Sequence, residues 1–168
     1  MASILSVDAI QGATTAANVK LPEGCIIGWK TVSSATSVQV TGTTFVDLPG
    51  ISLSYACKYS TSILYFMFNT QVFIPQQTSA WQSAGTRILK GSSTVLITES
   101  GYGSGHYTDS SNDRFMHHMV LSTAHSPAST SSETYKVQVA KLQGSDYADF
   151  QNSGYGAGSR LTVMEIAQ

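Results

Sequence analysis

The residues best placed to do chemistry lie in the segment Gly101-Tyr102-Gly103-Ser104-Gly105-His106-Tyr107, which follows a strand-like run, Ser93 to Thr98. A strand leading into a glycine-rich loop is how phosphate-binding sites are built, because a helix N-terminus after the loop supplies the N–H groups that hold the phosphate. Here the spacing is G-x-G-x-G rather than G-x-G-x-x-G, no Gly-Lys-Ser/Thr closes the loop, and His106 to Asp113 is a run of turn formers without helical periodicity. The segment therefore reads as an exposed loop rather than as a phosphate cradle. The same segment has glycine where a nucleophile elbow needs serine, so it offers no hydrolase triad either.

The remaining chemical groups are scattered. His117 and His118 are adjacent, so on a strand they face opposite sides and cannot share one ion within a chain. Neither cysteine, Cys25 or Cys57, is close to a histidine, so no zinc spacing occurs. Both are expected reduced and buried as small apolar side chains. The carboxylate pairs Asp109/Asp113 and Asp146/Asp149 sit in polar, turn-like surroundings that suit Asx turns. The reading is of a protein with no catalytic residue, no metal and no cofactor.

A binding role fits the glycine-rich loop better. The segment Ser100–Gly105, SGYGSG, is echoed by Ser153–Gly158, SGYGAG. Glycine permits positive φ, and tyrosine supplies a flat apolar ring with a hydroxyl, the combination found in adaptable contact loops. Tyr102, His106 and Tyr107 from the first loop, Tyr155 from its echo, and Trp81 from the polar stretch Gln76–Ser83 are the candidate binding residues.

The elements that must hold these residues are strands. At 168 residues the chain is long enough for one domain with a real core. Charged residues make up only 11% and the net charge is −1, which leaves no basic face for nucleic acid and no polybasic membrane anchor. The start of the sequence has no signal-peptide pattern, and no apolar run is long enough for a membrane helix. Serine, threonine and glycine abound, and turn signals recur at Leu48-Pro49-Gly50, Gly91-Ser92, Ser126-Pro127 and Gly144-Ser145. Between them lie the expected strands Ile26–Val32, Ser37–Thr41, Thr43–Asp47, Ile51–Tyr55, Thr61–Ile74, Thr86–Lys90, Ser93–Thr98, Arg114–Thr123, Glu133–Leu142, Ala148–Gln151 and Arg160–Ile166. Tyr135, Val137 and Val139 share a face, as do Leu161 and Val163. Met164 breaks the second alternation, as it would on a strand covered on both sides or at a subunit contact. The pattern gives an all-β fold, an antiparallel β-sandwich or jelly roll, over residues 25–168. Residues 1–24 are small and polar with a weak alternation over Ile4–Ile10, and are expected to form an extended N-terminal arm that adds to another subunit or to a host surface.

Several phrases resemble a family of short virion proteins of tailed bacteriophages, common in phages of marine bacteria. They are Ser6–Thr15, Thr44–Asp47 with Gly50–Leu53, Arg87–Ser93, Ser131–Gln138 and Leu161–Ala167, in order along nearly the whole chain. The resemblance implies a jelly-roll-like homotrimer located in the virion and assembled in the host cytoplasm. It also implies the partners: further copies of itself, and the major capsid protein or other virion proteins. Two functions follow from it and stay open: a capsid cement or decoration protein, or a short tail fibre or spike binding a host receptor such as a surface glycan. The absence of a shaft repeat or coiled coil favours the first. Neither involves nucleic acid or membrane insertion.

Overall fold

In a computed structural model, the chain is described over residues 22–75, 81–99, 105–107, 114–144, 147–151 and 158–168. Eleven strands are found there: β1 (Ile26–Ser34), β2 (Val38–Val40), β3 (Val46–Tyr55), β4 (Ile63–Pro75), β5 (Trp81–Lys90), β6 (Thr94–Glu99), β7 (His106–Tyr107), β8 (Arg114–His125), β9 (Glu133–Gln143), β10 (Ala148–Phe150) and β11 (Ser159–Ile166). No helix occurs among the described residues, hence none long and apolar enough to cross a membrane.

All pairings are antiparallel, and they are nested. β1 pairs with β11, β3 with β9, β4 with β8, and β5 with β6. The chain is thus a long two-stranded ribbon whose tip is the β5–β6 turn at Gly91. Rolled up, the ribbon gives one sheet running β1-β11-β4-β8 and a second running β3-β9-β5-β6. This is the strand order of a jelly roll. The short strands β10 and β2 extend the first sheet beyond Val72, and β7 pairs with the start of β5.

The core follows from alternation. On β4, Leu64, Phe66 and Phe68 are fully buried, while Tyr65 and Met67 point outward. Leu161 and Val163 of β11 lie beside them in the same sheet, and Tyr135, Val137 and Val139 of β9 face them from the other, all fully buried. The ring of Tyr135 lies 4.7 Å from that of Phe66, a tilted contact that joins the two sheets.

Three expectations need correction. The turn expected at Leu48-Pro49-Gly50 does not separate two strands; β3 runs through it, and the register against β9 shifts between Asp47 and Ser52. The apolar spacing from Leu48 to Ile51 and Leu53 is kept inward by that bulge, with Gly50 at φ 75° against the Ser34 side chain. β5 begins at Trp81, not Thr86, because Gln82 to Gly85 are polar or small yet completely enclosed. His106 and Tyr107, expected in a loop, form β7. Of the arm, residues 1–21 lie outside the described residues.

One buried charge ties both sheets together. Glu165 of β11 stands on the inward face in line with Leu161 and Val163, and is fully buried. Its Oε2 accepts from the Tyr55 hydroxyl at the end of β3 (2.9 Å). Its Oε1 accepts from the Lys58 and Tyr59 backbone N–H groups (2.7 and 3.4 Å). Gly28 lines the other side, where an added Cβ would lie 2.3 Å from the Tyr55 hydroxyl oxygen. A buried carboxylate is tolerated only when fully partnered, and removing it would orphan its donors at about 1–3 kcal/mol each. We therefore expect Glu165→Leu to lower the denaturant midpoint by an amount equivalent to about 3 kcal/mol or more, with an unchanged slope. A change below about 0.5 kcal/mol would show that the network is not holding the sheets together.

Candidate functional surfaces

The jelly roll sorts its connections between two ends. The β4–β5, β6–β8 and β9–β11 connections all leave from one end, as does the path from β1 to β3. The two glycine–tyrosine segments belong to the second and third of these. Tyr102 and Tyr155 themselves lie outside the described residues. Trp81, His106 and Tyr107 are placed by backbone pairing: Trp81 stands opposite Tyr107, and Gln82 opposite His106. Three of the five candidates, drawn from two connections, therefore share one two-stranded patch. Beneath it, the Gln82 carboxamide is fully buried with neither its nitrogen nor its oxygen hydrogen-bonded.

At the same end a polar groove of about 550 Å³ is lined by Ser33, Ser34, Ala35, Asn69, Gly158, Ser159 and Arg160. It adjoins the strand start that follows the second glycine–tyrosine segment. Hydroxyls, an amide and one guanidinium make it a hydrogen-bonding surface, with no carboxylate or imidazole to move a proton.

The histidines separate as their parity predicts. His117 points inward opposite Val72, and His118 points outward, lining a cleft of about 280 Å³ with Glu99, Met119 and Val120 where β6 and β8 approach. Among the described residues no cluster of three or more potential metal ligands occurs. Asp149 lies within β10, 9% exposed, and accepts from Ser37 Oγ at 2.6 Å. Asp109, Asp113 and Asp146 lie outside the described residues. Both cysteines are free, Cys57 buried and Cys25 only half-buried, which corrects the expectation that both are enclosed.

The outer faces of the two sheets differ sharply in chemistry. On the β3-β9-β5-β6 sheet, Lys136 pairs with Asp47 at 2.9 Å. Gln138 Nε2 donates to Asp47 Oδ1 at 2.6 Å, and Arg87 donates twice to Gln138 Oε1 while its guanidinium lies 4.3 Å from the centre of the Phe45 ring. That face is finished for water. The β1-β11-β4-β8 face reads, row by row, Ile26–Ile166–Ile63, then Trp29–Met164–Tyr65–Ala124, then Thr31–Thr162–Met67–Ser122, then Ser33–Arg160–Asn69–Val120. Across these rows Arg160 is the only charged side chain. Trp29 is 71% exposed, Val120 66%, Ile26 56% and Met67 45%. Isolated exposed apolar residues are ordinary, but a contiguous set on a flat face marks a contact. Of this surface the sequence signalled only Met164.

No protein-family model matches the sequence, and no curated protein matches it. Among solved structures, the chain is similar to the infectious bursal disease virus Gx strain structure at 14% identity, covering 97% of this chain and 37% of that one, with a TM-score of 0.43. It is similar to the VP2 subviral particle of infectious bursal disease virus at 13% identity, covering 84% of this chain and 34% of that one, with a TM-score of 0.37. A likeness to desmodium yellow mottle tymovirus covers 100% of this chain and 97% of that one at 13% identity, with a TM-score of 0.21. The chain spans about a third of the length of the bursal disease virus chains it matches. The jelly-roll assignment stands on the strand order rather than on these likenesses.

Burial pushes the Cys57 thiol up to about 11, with the neighbouring Glu165 charge adding to it. A thiol raised in this way holds almost no thiolate near neutrality. We expect one thiol per chain, Cys25, to react with a maleimide at pH 7 in the native protein and two after denaturation; two in the native state would contradict the enclosure of Cys57. Burial also lowers His117, and burial with the Lys90 charge lowers His125 against a smaller opposing effect of Glu133. Both imidazoles are thus harder to protonate folded than unfolded. Stability should be level above the unfolded value of 6.5 and fall as pH drops below it. Replacing His125 by Phe should flatten that fall in urea midpoints measured between pH 7.5 and 5.5.

Proposed function

We propose that this chain is a structural protein of the virion of a tailed bacteriophage, a homotrimer that decorates the capsid shell and stabilises it. The resemblance of its sequence phrases to short phage virion proteins supports this reading, and the jelly roll gives it a rigid platform. The observation that carries it is that Trp81, His106 and Tyr107 come together at one end. Trp81 stands opposite Tyr107, beside the strand ends that flank both glycine–tyrosine segments. Trp81, Tyr102, His106, Tyr107 and Tyr155 form the attachment surface in this reading. Aromatic rings on glycine-rich connections adapt to a partner at little entropic cost, and several weak contacts per trimer multiply through avidity.

A second reading, a short tail fibre or spike that binds a host receptor, is favoured by the polar groove at the same end. Its hydroxyls, Asn69 and Arg160 suit a hydroxyl-rich ligand such as a surface glycan.

The copy number of this chain per purified particle, relative to the major capsid protein, separates the two. One copy per capsid subunit, or a simple fraction of that, is expected for decoration; a handful per particle would overturn it in favour of the tail. The double substitution Trp81→Ala with Tyr107→Ala should then reduce attachment to shells at least tenfold without changing the circular dichroism of the free protein or its mass by sedimentation. Unchanged attachment would remove this end from the contact.

A further inference from the structure

The first two rows of the outer β1-β11-β4-β8 face, with Met67 beside them, are apolar and uncovered among the described residues, and the chain itself leads to them. The described chain begins at the corner of that face, where Ile26, Ile166 and Ile63 form the first row. There the backbone turns: Cys25 N–H donates to the Pro22 carbonyl at 3.2 Å, with Gly24 at φ 85°. The turn is tied to the end of β11, Gly24 N–H donating to the Ala167 carbonyl and Ala167 N–H to the Cys25 carbonyl, both at 2.9 Å. A turn of this kind reverses the chain, so Pro22, the first described residue, faces back along β1, and the residues before it start from this corner.

Along β1 they have two routes. One is strand addition at the outer edge of β1. That edge is obstructed: Lys58 Nζ donates to the Ile27 carbonyl at 2.5 Å, and Lys30 Nζ reaches across to the Ser54 carbonyl of β3 at 3.0 Å. The other route is across the face, which is open and displays Trp29 at 71% exposure. Residues 1–21 suit it in composition. They carry Ile4, Leu5, Val7, Ala9, Ile10, Val19 and Leu21, with Asp8 and Lys20 as their only charges. Leu5, Val7 and Ala9 alternate with Ser6 and Asp8, so an extended segment would present one apolar side. Four strands at ~4.8 Å spacing make a face about 15 Å wide, and twenty-odd extended residues span up to ~70 Å, so length is no obstacle.

We propose that residues 1–21 fold back over the outer face of the β1-β11-β4-β8 sheet of their own chain and cover the row of Trp29, Met164 and Tyr65. Tethering at Pro22 keeps the segment at a high effective concentration over this face, which favours its own chain over a second copy. The proposal does not rest on the virion reading.

The test uses Trp29 as its probe. The chain has two tryptophans, so in a Trp81→Phe background the indole emission comes from Trp29 alone. In the otherwise full chain we expect short-wavelength emission, protection from acrylamide, and no change on dilution. Deleting residues 2–21 should shift the emission to longer wavelength and remove the protection, with the number of chains per particle unchanged by sedimentation. Should the deletion impair folding, Leu5→Asp with Val7→Asp in the full chain is expected to expose Trp29 in the same way. Equal exposure of Trp29 with and without the segment would overturn the proposal. So would protection that disappears on dilution, or a deletion that lowers the number of chains per particle; either would make a second copy the donor of the segment.

Discussion

A carboxylate sealed inside an apolar sandwich is the constraint on which the two sheets' alignment depends. Glu165 has no water to solvate it, so its oxygens must be met by donors from the protein. Those donors come from Tyr55 at the end of β3 and from the backbone of Lys58 and Tyr59, while Glu165 itself belongs to β11 of the opposite sheet. The sheets can therefore slide relative to each other only by unpairing a buried charge. The same requirement explains Gly28, whose missing side chain makes room for the Tyr55 hydroxyl. It also explains why Tyr55 and Cys57 resist ionisation: burial disfavours a second negative charge, and Glu165 already supplies one.

The two outer faces then acquire different characters from one rule applied twice. Both sheets bury one side against the common core, which leaves each a second side to finish. On the β3-β9-β5-β6 sheet, Asp47, Lys136, Gln138 and Arg87 complete each other's hydrogen bonds across neighbouring strands, a surface that needs nothing more. On the β1-β11-β4-β8 sheet, Trp29, Met164, Tyr65 and Met67 line up across strands with no charge among them.

Much of the fold was legible because alternation and burial coincide. Tyr135, Val137 and Val139 announced β9, Leu161 and Val163 announced β11, and the run Ile63–Phe68 announced β4. The failures have physical causes. Pro49-Gly50 spells a turn, but the β3 backbone absorbs it as a bulge, because the neighbouring β9 ladder resumes on the far side. The start of β5 carries Gln82, Ser83, Ala84 and Gly85, whose small or polar side chains give no apolar period although they are enclosed. Glu165 shares the parity of Leu161 and Val163, but a glutamate in a strand reads as solvent-facing, and only the partners folded around it, Tyr55 and the Lys58–Tyr59 backbone, make it internal. The candidate contact residues were found by composition, which can nominate Trp81 and Tyr107 separately but cannot say that a ladder pairs them.

The nested pairing also bears on how the molecule is made. β1 has its ladder with β11, so its residues bond to partners some 130 positions later, Thr31 with Leu161 and Thr162 among them. Loop closure over such a span comes late and slowly. On the ribosome, β1 must wait, exposed, until nearly all of this sequence has been synthesised. The inner ribbon, β5 with β6, can form as soon as it emerges, and the sandwich then closes outward from that hairpin in the reverse of a simple reading from first residue to last. Any break in translation before β11 leaves Trp29 and Ile26 on an unpaired strand, a product for quality control rather than for assembly.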